Sequence, residues 1–560
     1  MCGIFALFNS RHTSWHFLEE MFMKGKSRGP ENSQFLHLKN INSHIGFHRL
    51  AINGYQDEKS NQPFNIDGIY LICNGEIYNY KELYDILNID PYSNSDCEVI
   101  IHLYKKYGFE QALQMLDGVF ACILIDTKQN LIFVARDTFG IRPLFINTFH
   151  EVNEFGEKKI CYGFSSVLKS LDGLHNSKLL QQFEPGSYSV FNIHKNKTNG
   201  LLSQINYNET IYYSLPNTFC SIKKTFTDYE INKIQENLFL ALEEAVLKRI
   251  DNTERDICCL LSGGLDSSII SAIVARYHPG KLHTWSIGLE GSEDLQYADK
   301  VAKHIGSEHH KVVCTEEEFL NAIPDVIEAI ESYDTTTVRA SVGNWLISKY
   351  IKENSDAKVI FNGDGSDEVT GGYMYFHLAP DSIEFDKECR RLLCSIHYFD
   401  VLRSDRSISD HGLEARTPFL DRKFVQTYLS IDPNLRYHPK NKQCEKYFLR
   451  KTIENFGNDL LPREVLWRKK EAFSDGVSQQ KKSWYEIIQE HVSKNKNLMI
   501  TQLDIHNKPQ TLEQQYYRNI FDTKFENEKS HETIPYFWMP RFCDAKDASA
   551  RTLDVYKNTE

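Results

Sequence analysis

The sequence predicts two successive domains of different class: a strand-rich amino-terminal domain, then an α/β domain on a parallel sheet. Three observations predict this. Short apolar runs, such as residues 70–73 and 131–134, are separated by Gly, Asn and Asp turns and read as strands up to about residue 200. The pattern then turns helical, with Ile231, Ile234, Leu238, Leu242 and Ala245 on one face. Finally, the wholly apolar run 257–261 passes through a glycine-rich turn into a helix-like stretch, 267–277, and a second strand, 282–287. That order is a β-α-β unit, the start of a doubly wound sheet.

The remaining elements follow. The polar stretch 195–200 and the irregular segment up to about residue 228 read as the exit from the first domain. Residues 358–361 are a further strand candidate, and 380–540 read as mostly helical and irregular. The boundaries expected are 1–205, 206–540 and a tail, 541–560. A chain of 560 residues, 41% hydrophobic and 25% charged, has room for two to four domains. Its net charge of −12 argues against nucleic acid or an anionic membrane as main partner. It lacks the ~18 consecutive apolar residues of a membrane span, and the apolar opening 2–8 has no basic leader. Thirteen cysteines without a Cys-x-x-Cys pair fit reduced cytoplasmic thiols better than disulfides or zinc. In that setting the sequon Asn196-Lys197-Thr198 carries no weight.

The chemistry is written in loops. Ser262-Gly263-Gly264-Leu265-Asp266-Ser267-Ser268 follows a strand and opens a helix. Its glycines admit close approach of a ligand, and the helix start offers N–H groups to an anion. Asp266 is out of place in a phosphate cradle unless a cation intervenes, so it reads as a magnesium ligand. A Walker loop is excluded, because Gly25-Lys26-Ser27 has Glu20 where that motif needs glycine. Ile287-Gly288-Leu289 and Asn362-Gly363-Asp364-Gly365-Ser366-Asp367-Glu368 also follow strands. Loops at the carboxyl ends of parallel strands converge on one crevice. Asp367 is then a second magnesium ligand facing Asp266. Lys470, in Trp467-Arg468-Lys469-Lys470-Glu471 ahead of Phe473-Ser474-Asp475-Gly476-Val477, reads on its own as part of a solvated face, and only a family resemblance would give it the task of stabilising charge on an α-phosphate.

Cys2 stands apart. Removal of Met1 would give one residue both a thiol and an α-amine that titrates near ~7.7–8. Nucleophile and base would then share a residue, with no histidine needed.

Taken together, the chain resembles the glutamine-hydrolysing asparagine synthetases. The first half carries Cys2-Gly3-Ile4, Arg28-Gly29-Pro30, His48-Arg49-Leu50-Ala51-Ile52, Asn74-Gly75-Glu76-Ile77-Tyr78-Asn79, Ser95-Asp96-Cys97-Glu98, Arg136-Asp137 and Gly140-Ile141-Arg142-Pro143-Leu144. It resembles a class II glutamine amidotransferase domain, which implies an αββα sandwich of the N-terminal-nucleophile hydrolase type. The second half carries the 262–268 and 362–368 loops, Thr336-Thr337-Val338-Arg339-Ala340-Ser341 and Glu414-Ala415-Arg416-Thr417-Pro418-Phe419-Leu420-Asp421. It resembles an ATP-pyrophosphatase synthetase domain, with a parallel sheet and a helical carboxyl-terminal part.

The resemblance implies roles. Cys2 would attack the amide of glutamine, and Asn74 with the Gly75 N–H would form the oxyanion hole. Arg49 would hold the substrate carboxylate, Glu76 and Asp96 its ammonium, with Leu50, Ala51, Ile52 and Asn53 lining the pocket. ATP would bind across Leu261, Ile287 and Gly363, together with Ser262, Gly263, Gly264, Asp266, Ser267 and Asn362. Thr336, Thr337, Arg339, Asp367, Glu368, Asp400 and Arg403 would serve aspartate and its adenylate, with Asp364 and Lys470 catalytic. Implied as cofactors and partners are ATP, Mg2+, L-glutamine and L-aspartate, and a homodimer is the assembly it allows. Ammonia freed at Cys2 would pass to the second domain and displace AMP from a β-aspartyl adenylate.

Two departures stand out. The acidic loop usually reads Ser-Gly-Glu-Gly-Ser-Asp-Glu, whereas this chain has Asn362 and Asp364. Asp364 keeps the charge but is shorter by one methylene, about 1.5 Å, and a misplacement of that size is costly in catalysis. Asn53 stands where the family usually has valine. Two rival readings are a β-lactam-synthetase-type enzyme and a non-catalytic nucleotide or amino-acid sensor. Cys2 with Asn74, Gly75 and Asp96 argues against the first. Cys2, Asp266, Asp367 and Lys470 argue against the second.

Overall fold

The computed structural model describes residues 1–10, 13–152, 158–194, 204–214, 218–220, 222–441, 443–468, 470, 477, 482–495, 498–501, 504–545 and 547–549. The exit stretch 195–200, its sequon, Phe473-Ser474-Asp475-Gly476 and the end of the tail lie outside them. The chain forms two compact units. One is Met1–Leu215 with Ser409–Leu413 and Phe521–Pro535; the other is Pro216–Ile408, Glu414–Ile520 and Tyr536–Glu560.

The first unit is built on two antiparallel sheets. Its strands are β1 (Gly3–Phe8), β2 (Asn32–Leu38), β3 (Ser43–Arg49), β4 (Phe64–Ile66), β5 (Ile69–Ile77) and β6 (Gly118–Asp126). They continue with β7 (Leu131–Arg136), β8 (Phe145–Val152), β9 (Lys158–Ser165), β10 (Ser177–Gln182), β11 (Ser187–His194) and β12 (Gln204–Tyr212). The sheet orders are β10-β8-β9-β1-β3-β2 and β12-β11-β7-β6-β5-β4. β1 explains why its sequence reads as an unbroken apolar run. Ile4, Ala6 and Phe8 enter the core shared with Ile72, Ile123, Val134 and Phe191, while Phe5 turns the other way onto Phe22 of the helix Trp15–Met23. A strand covered on both faces has no polar side to alternate with. On the outer face of the other sheet, Leu83, Val99, Leu103 and Phe109 of three short helices cover Cys73, Phe133 and Tyr188. The layers are therefore helix, sheet, sheet, helix, as expected of the αββα plan.

The Arg136-Asp137 motif is architectural. Buried Asp137 accepts from the backbone N–H groups of Phe120, Phe139, Ile141 and Arg142 at 2.9–3.2 Å. Arg136 donates to the carbonyls of Gly140, Arg142 and Phe183, each at 2.8 Å.

The second unit carries a five-stranded parallel sheet: β13 (Ile257–Leu260), β14 (His283–Leu289), β15 (Glu308–Cys314), β16 (Val359–Phe361) and β17 (Glu414–Arg416), in the order β15-β14-β13-β16-β17. From β13 the chain runs outward to β14 and β15, then returns to the other side of β13 for β16 and β17. That reversal is a topological switch point, where a crevice opens beyond the carboxyl ends of the strands. Among the described residues no helix is long and apolar enough to cross a membrane.

Candidate active sites

In the first unit Cys2 precedes β1, and its partly buried thiol points at the Leu50 carbonyl, 3.5 Å away. Arg28 pins the Cys2 carbonyl at 2.9 Å. Met1 is fully buried, and its ammonium donates to the Leu413 carbonyl at 3.0 Å, so the Cys2 nitrogen is here a peptide nitrogen. His48 cannot serve as base for the thiol. It stacks on Phe22 at 3.8 Å and bonds Ser33 and the Phe22 carbonyl, and burial pushes its pKa down to about 4.

Asn74, Gly75 and Glu76 lie near the end of β5, with Asn74 and Glu76 buried and Gly75 partly exposed. The Asn74 Nδ2 is buried without a hydrogen-bond partner among the described residues, which is costly unless a ligand oxygen takes that bond. Arg49, at the end of β3, is held by the carbonyls of Asn53 (3.1 Å), Gly54 (2.5 Å) and Asp57 (3.3 Å) and by Asn61 Oδ1 (2.9 Å). Leu50, Ala51 and Ile52 follow it, all buried, and the Ala51 N–H donates to Glu31 at 2.6 Å. Asp96 is buried and accepts from the Ile77 N–H at 2.6 Å. Asn53 does two things: its carbonyl meets Arg49, and its amide donates to Glu76 Oε2 at 2.9 Å. The departure at this position therefore acts through the side chain, because valine has no donor to orient Glu76.

In the second unit the loop after β13 is closed by its own hydroxyls. Ser262 and Ser267 meet at 2.9 Å, and the Gly264 N–H donates to Ser262 at 3.3 Å. Gly263 has φ +75, and a Cβ there would lie 2.5 Å from the Ala298 nitrogen, so only glycine fits. Gly363 brings the acidic loop against this one; a Cβ would sit 2.7 Å from the Ser267 nitrogen. The two loops, with Trp285 to Ile287 of β14, line a cavity of about 210 Å³.

In it two carboxylates meet two ammoniums. Lys446 Nζ lies 2.6 Å from Asp266 Oδ2 and 2.5 Å from Asp367 Oδ1. Lys470 Nζ lies 2.6 Å from Asp367 and 4.0 Å from Asp266. Although burial opposes it, these lysines hold the Asp367 carboxyl well below the usual range, and Asp367 and Asp266 hold Lys470 up. Both carboxylates converge on the Lys446 ammonium; their oxygen donors are of the type a hard divalent cation takes, so Asp266 and Asp367 are the residues that would hold magnesium. Beside them, burial pushes Asp400 up to about 6, helped by Asp364 and Asp367 and opposed by Arg403. Burial, with Asp400 and Asp367, drives Glu368 well above the usual carboxylate range.

The two departures of the acidic loop touch each other. Asn362 Nδ2 donates to Asp364 Oδ2 at 2.8 Å and to Ser404 at 2.7 Å, while Arg403 holds Asp364 Oδ1 at 3.0 Å. A serine at 362 could not span that gap.

The cavity brings together Leu261, Ser262, Gly264, Asp266, Ser267 and Ile287 from the nucleotide set. It adds Asn362, Gly363, Asp364, Asp367, Glu368, Thr336 and Thr337, then Asp400, Arg403 and Lys470. Two expected residues lie elsewhere. Gly263 faces the neighbouring helix and offers its carbonyl to Arg468 at 3.1 Å. Arg339 is a correction: its guanidinium pairs with Glu513 and Asp547 at 2.5–2.9 Å, so it braces the fold outside the cavity lining. Lys446 was missed. It has φ +56 ahead of the helix Tyr447–Phe456, and a lysine opening an amphipathic helix carries no signal of burial.

Comparison with known proteins agrees with this layout. The family model described as "Glutamine amidotransferase domain" matches residues 1–207, and that described as "Asparagine synthase" matches 238–388 and 380–539. Proteins named "Asparagine synthetase [glutamine-hydrolyzing]" from Cricetulus griseus and Rattus norvegicus are each 42% identical, and the one from Homo sapiens is 41% identical. The matches cover 100% of this chain and 99–100% of theirs. The chain belongs to the glutamine-hydrolysing asparagine synthetase family.

Proposed function

We propose that this chain makes L-asparagine from L-aspartate, using ammonia from glutamine and releasing AMP and pyrophosphate. The observation that carries the reading is the pairing of Asp266 and Asp367 about the Lys446 ammonium between the two glycine-rich loops. Neither a ring-closing relative nor a sensor needs that pair together with Cys2 and an Asn74 Nδ2 that has no partner among the described residues.

In the first unit the Cys2 thiolate attacks the side-chain carbonyl carbon of glutamine. Asn74 Nδ2 and the Gly75 N–H receive the oxyanion. The amide nitrogen leaves as ammonia, its proton supplied by the α-amine of a Cys2 freed from Met1. Water then cleaves the thioester to glutamate. Arg49 takes the substrate carboxylate, and Glu76, oriented by Asn53, takes the ammonium with Asp96.

In the second unit the β-carboxylate of aspartate attacks the α-phosphorus of ATP, and pyrophosphate leaves. Ammonia attacks the resulting acyl adenylate, and AMP leaves with the phosphate oxygen. Lys470 and Lys446 meet the charge that builds on the phosphates. Asp266 and Asp367 would hold magnesium, which would neutralise the departing pyrophosphate. The thirteen cysteines are free thiols, which supports a reducing, cytoplasmic setting. A homodimer is the proposed assembly, checked by sedimentation.

Isotope exchange between pyrophosphate and ATP tests the adenylation half-reaction. It should require aspartate and no glutamine; exchange without aspartate would contradict the reading. Its pH profile is a second expectation. Ionised Asp400 accepts from the Gly365 N–H and Arg403. Its raised pKa means that exchange should fall below about pH 6. For the fold the sign is opposite: this group favours the protonated state, so its contribution to stability is lost as pH rises from 3.8 to about 6. An acid limb near 4 would remove Asp400 from the site.

The Asn362–Asp364 contact predicts non-additive variants. Asn362→Ser alone removes the bond to Asp364 Oδ2 and should slow exchange about tenfold, an interaction of about 1.4 kcal/mol. Asp364→Glu should largely restore it in that background while bringing little benefit alone. Additive effects would mean the two positions are independent.

A further inference from the structure

Away from the cavity, β14 and β15 place two histidines and a carboxylate together. His283 and Glu308 open their strands and are direct cross-strand partners; His310 lies opposite Trp285, two residues further on. All three side chains are on one face. One ligand atom from each lies within 4.8 Å of the others. The cluster sits at the amino-terminal end of the strands, and the cavity loops leave from the carboxyl-terminal end.

We propose that His283, Glu308 and His310 form a binding site for a zinc-class divalent transition-metal ion, distinct from the magnesium position. The imidazole geometry points to it. His283 Nδ1 and His310 Nε2 are 3.0 Å apart. Two nitrogens bound to one tetrahedral ion at ~2.0–2.1 Å stand about 3.3–3.4 Å apart. An ion taking the place of the proton these nitrogens share therefore needs only a small opening of the pair. The His310 ring is oriented in advance by stacking on Trp285 at 4.2 Å and 19°. Glu308 supplies the third, oxygen ligand, with water completing the set. Its competitor is Lys281, whose ammonium lies 3.4 Å from Glu308.

The test is a Co2+ titration of the full chain followed by absorption, with Zn2+ as competitor. Thiolate ligation would show intense sulfur-to-metal bands, so the thirteen cysteines are separable from this site. The expected result is one ion per chain with nitrogen and oxygen ligation. Binding should weaken at least about tenfold in His283→Gln and in His310→Gln, and tighten in Lys281→Ala, a gain that misfolding would not produce. Parent affinity in both histidine variants, a spectrum of thiolate bands alone, or no tightening in Lys281→Ala would overturn the proposal.

Discussion

Cys2→Ala should abolish asparagine formation from glutamine while leaving formation from ammonia at the parent rate. The two proposed chemistries fall in separate compact units, and the parallel-sheet unit holds its own cavity and charges. Loss of a covalent nucleophile costs about four or more orders of magnitude in turnover. The Cys97 thiol, which interacts electrostatically with Cys2, cannot substitute. Cys97 is fully buried, and its pKa is pushed up to about 12 by burial and by Asp96 and Glu76, despite a hydrogen bond with Cys73 that acts the other way. His48 is held neutral and structural. Glutamate release, measured with and without ATP and aspartate, should vanish in the variant. Glutamine use at the parent rate would remove Cys2 from the nucleophile role.

Asp266→Asn should remove pyrophosphate exchange by about two to three orders of magnitude and spare glutamine hydrolysis. Both Asp266 oxygens face Lys446, at 2.6 and 2.7 Å, and Ser366 donates to one of them at 2.9 Å. The amide keeps the shape but loses the charge that would hold the cation against pyrophosphate. The fold should tolerate the change, because buried Lys446 keeps Asp367 as partner. Lys446→Met is the contrasting variant: it leaves two carboxylates facing each other with one lysine, and should lower stability as well as exchange. Near-parent exchange in Asp266→Asn would show that this carboxylate has no part in phosphate chemistry.

Much of this was legible because the chemistry sits where local sequence rules are strict. Residues 262–268 need glycine for backbone reasons and hydroxyls for loop closure. The run 257–261 is apolar because both faces of β13 are covered, and it ends as a strand at Leu260. The helix expected from 267 starts at Leu265, since Gly264 is already its N-cap. The strand expected at 282–287 runs from His283 to Leu289, because pairing with β15 continues to Leu289 and Cys314. What escaped was set by tertiary contact. β15 opens Glu-His-His-Lys, the polar signature of a sheet edge, and is not among the strands expected from the sequence. β17 is three residues long, two of them charged. Arg339 follows paired threonines like a ligand-binding residue, yet Glu513 and Asp547 claim it from more than 170 residues away. Lys446 and the Asn362–Asp364 contact are likewise products of the fold.

The most direct test is the product balance of the intact chain with glutamine, aspartate and ATP all saturating. Asparagine, AMP and pyrophosphate should form in equal amounts, with at least one glutamate for each asparagine. ADP and phosphate in place of AMP and pyrophosphate, or asparagine without AMP, would contradict attack at the α-phosphorus and with it the proposed reaction.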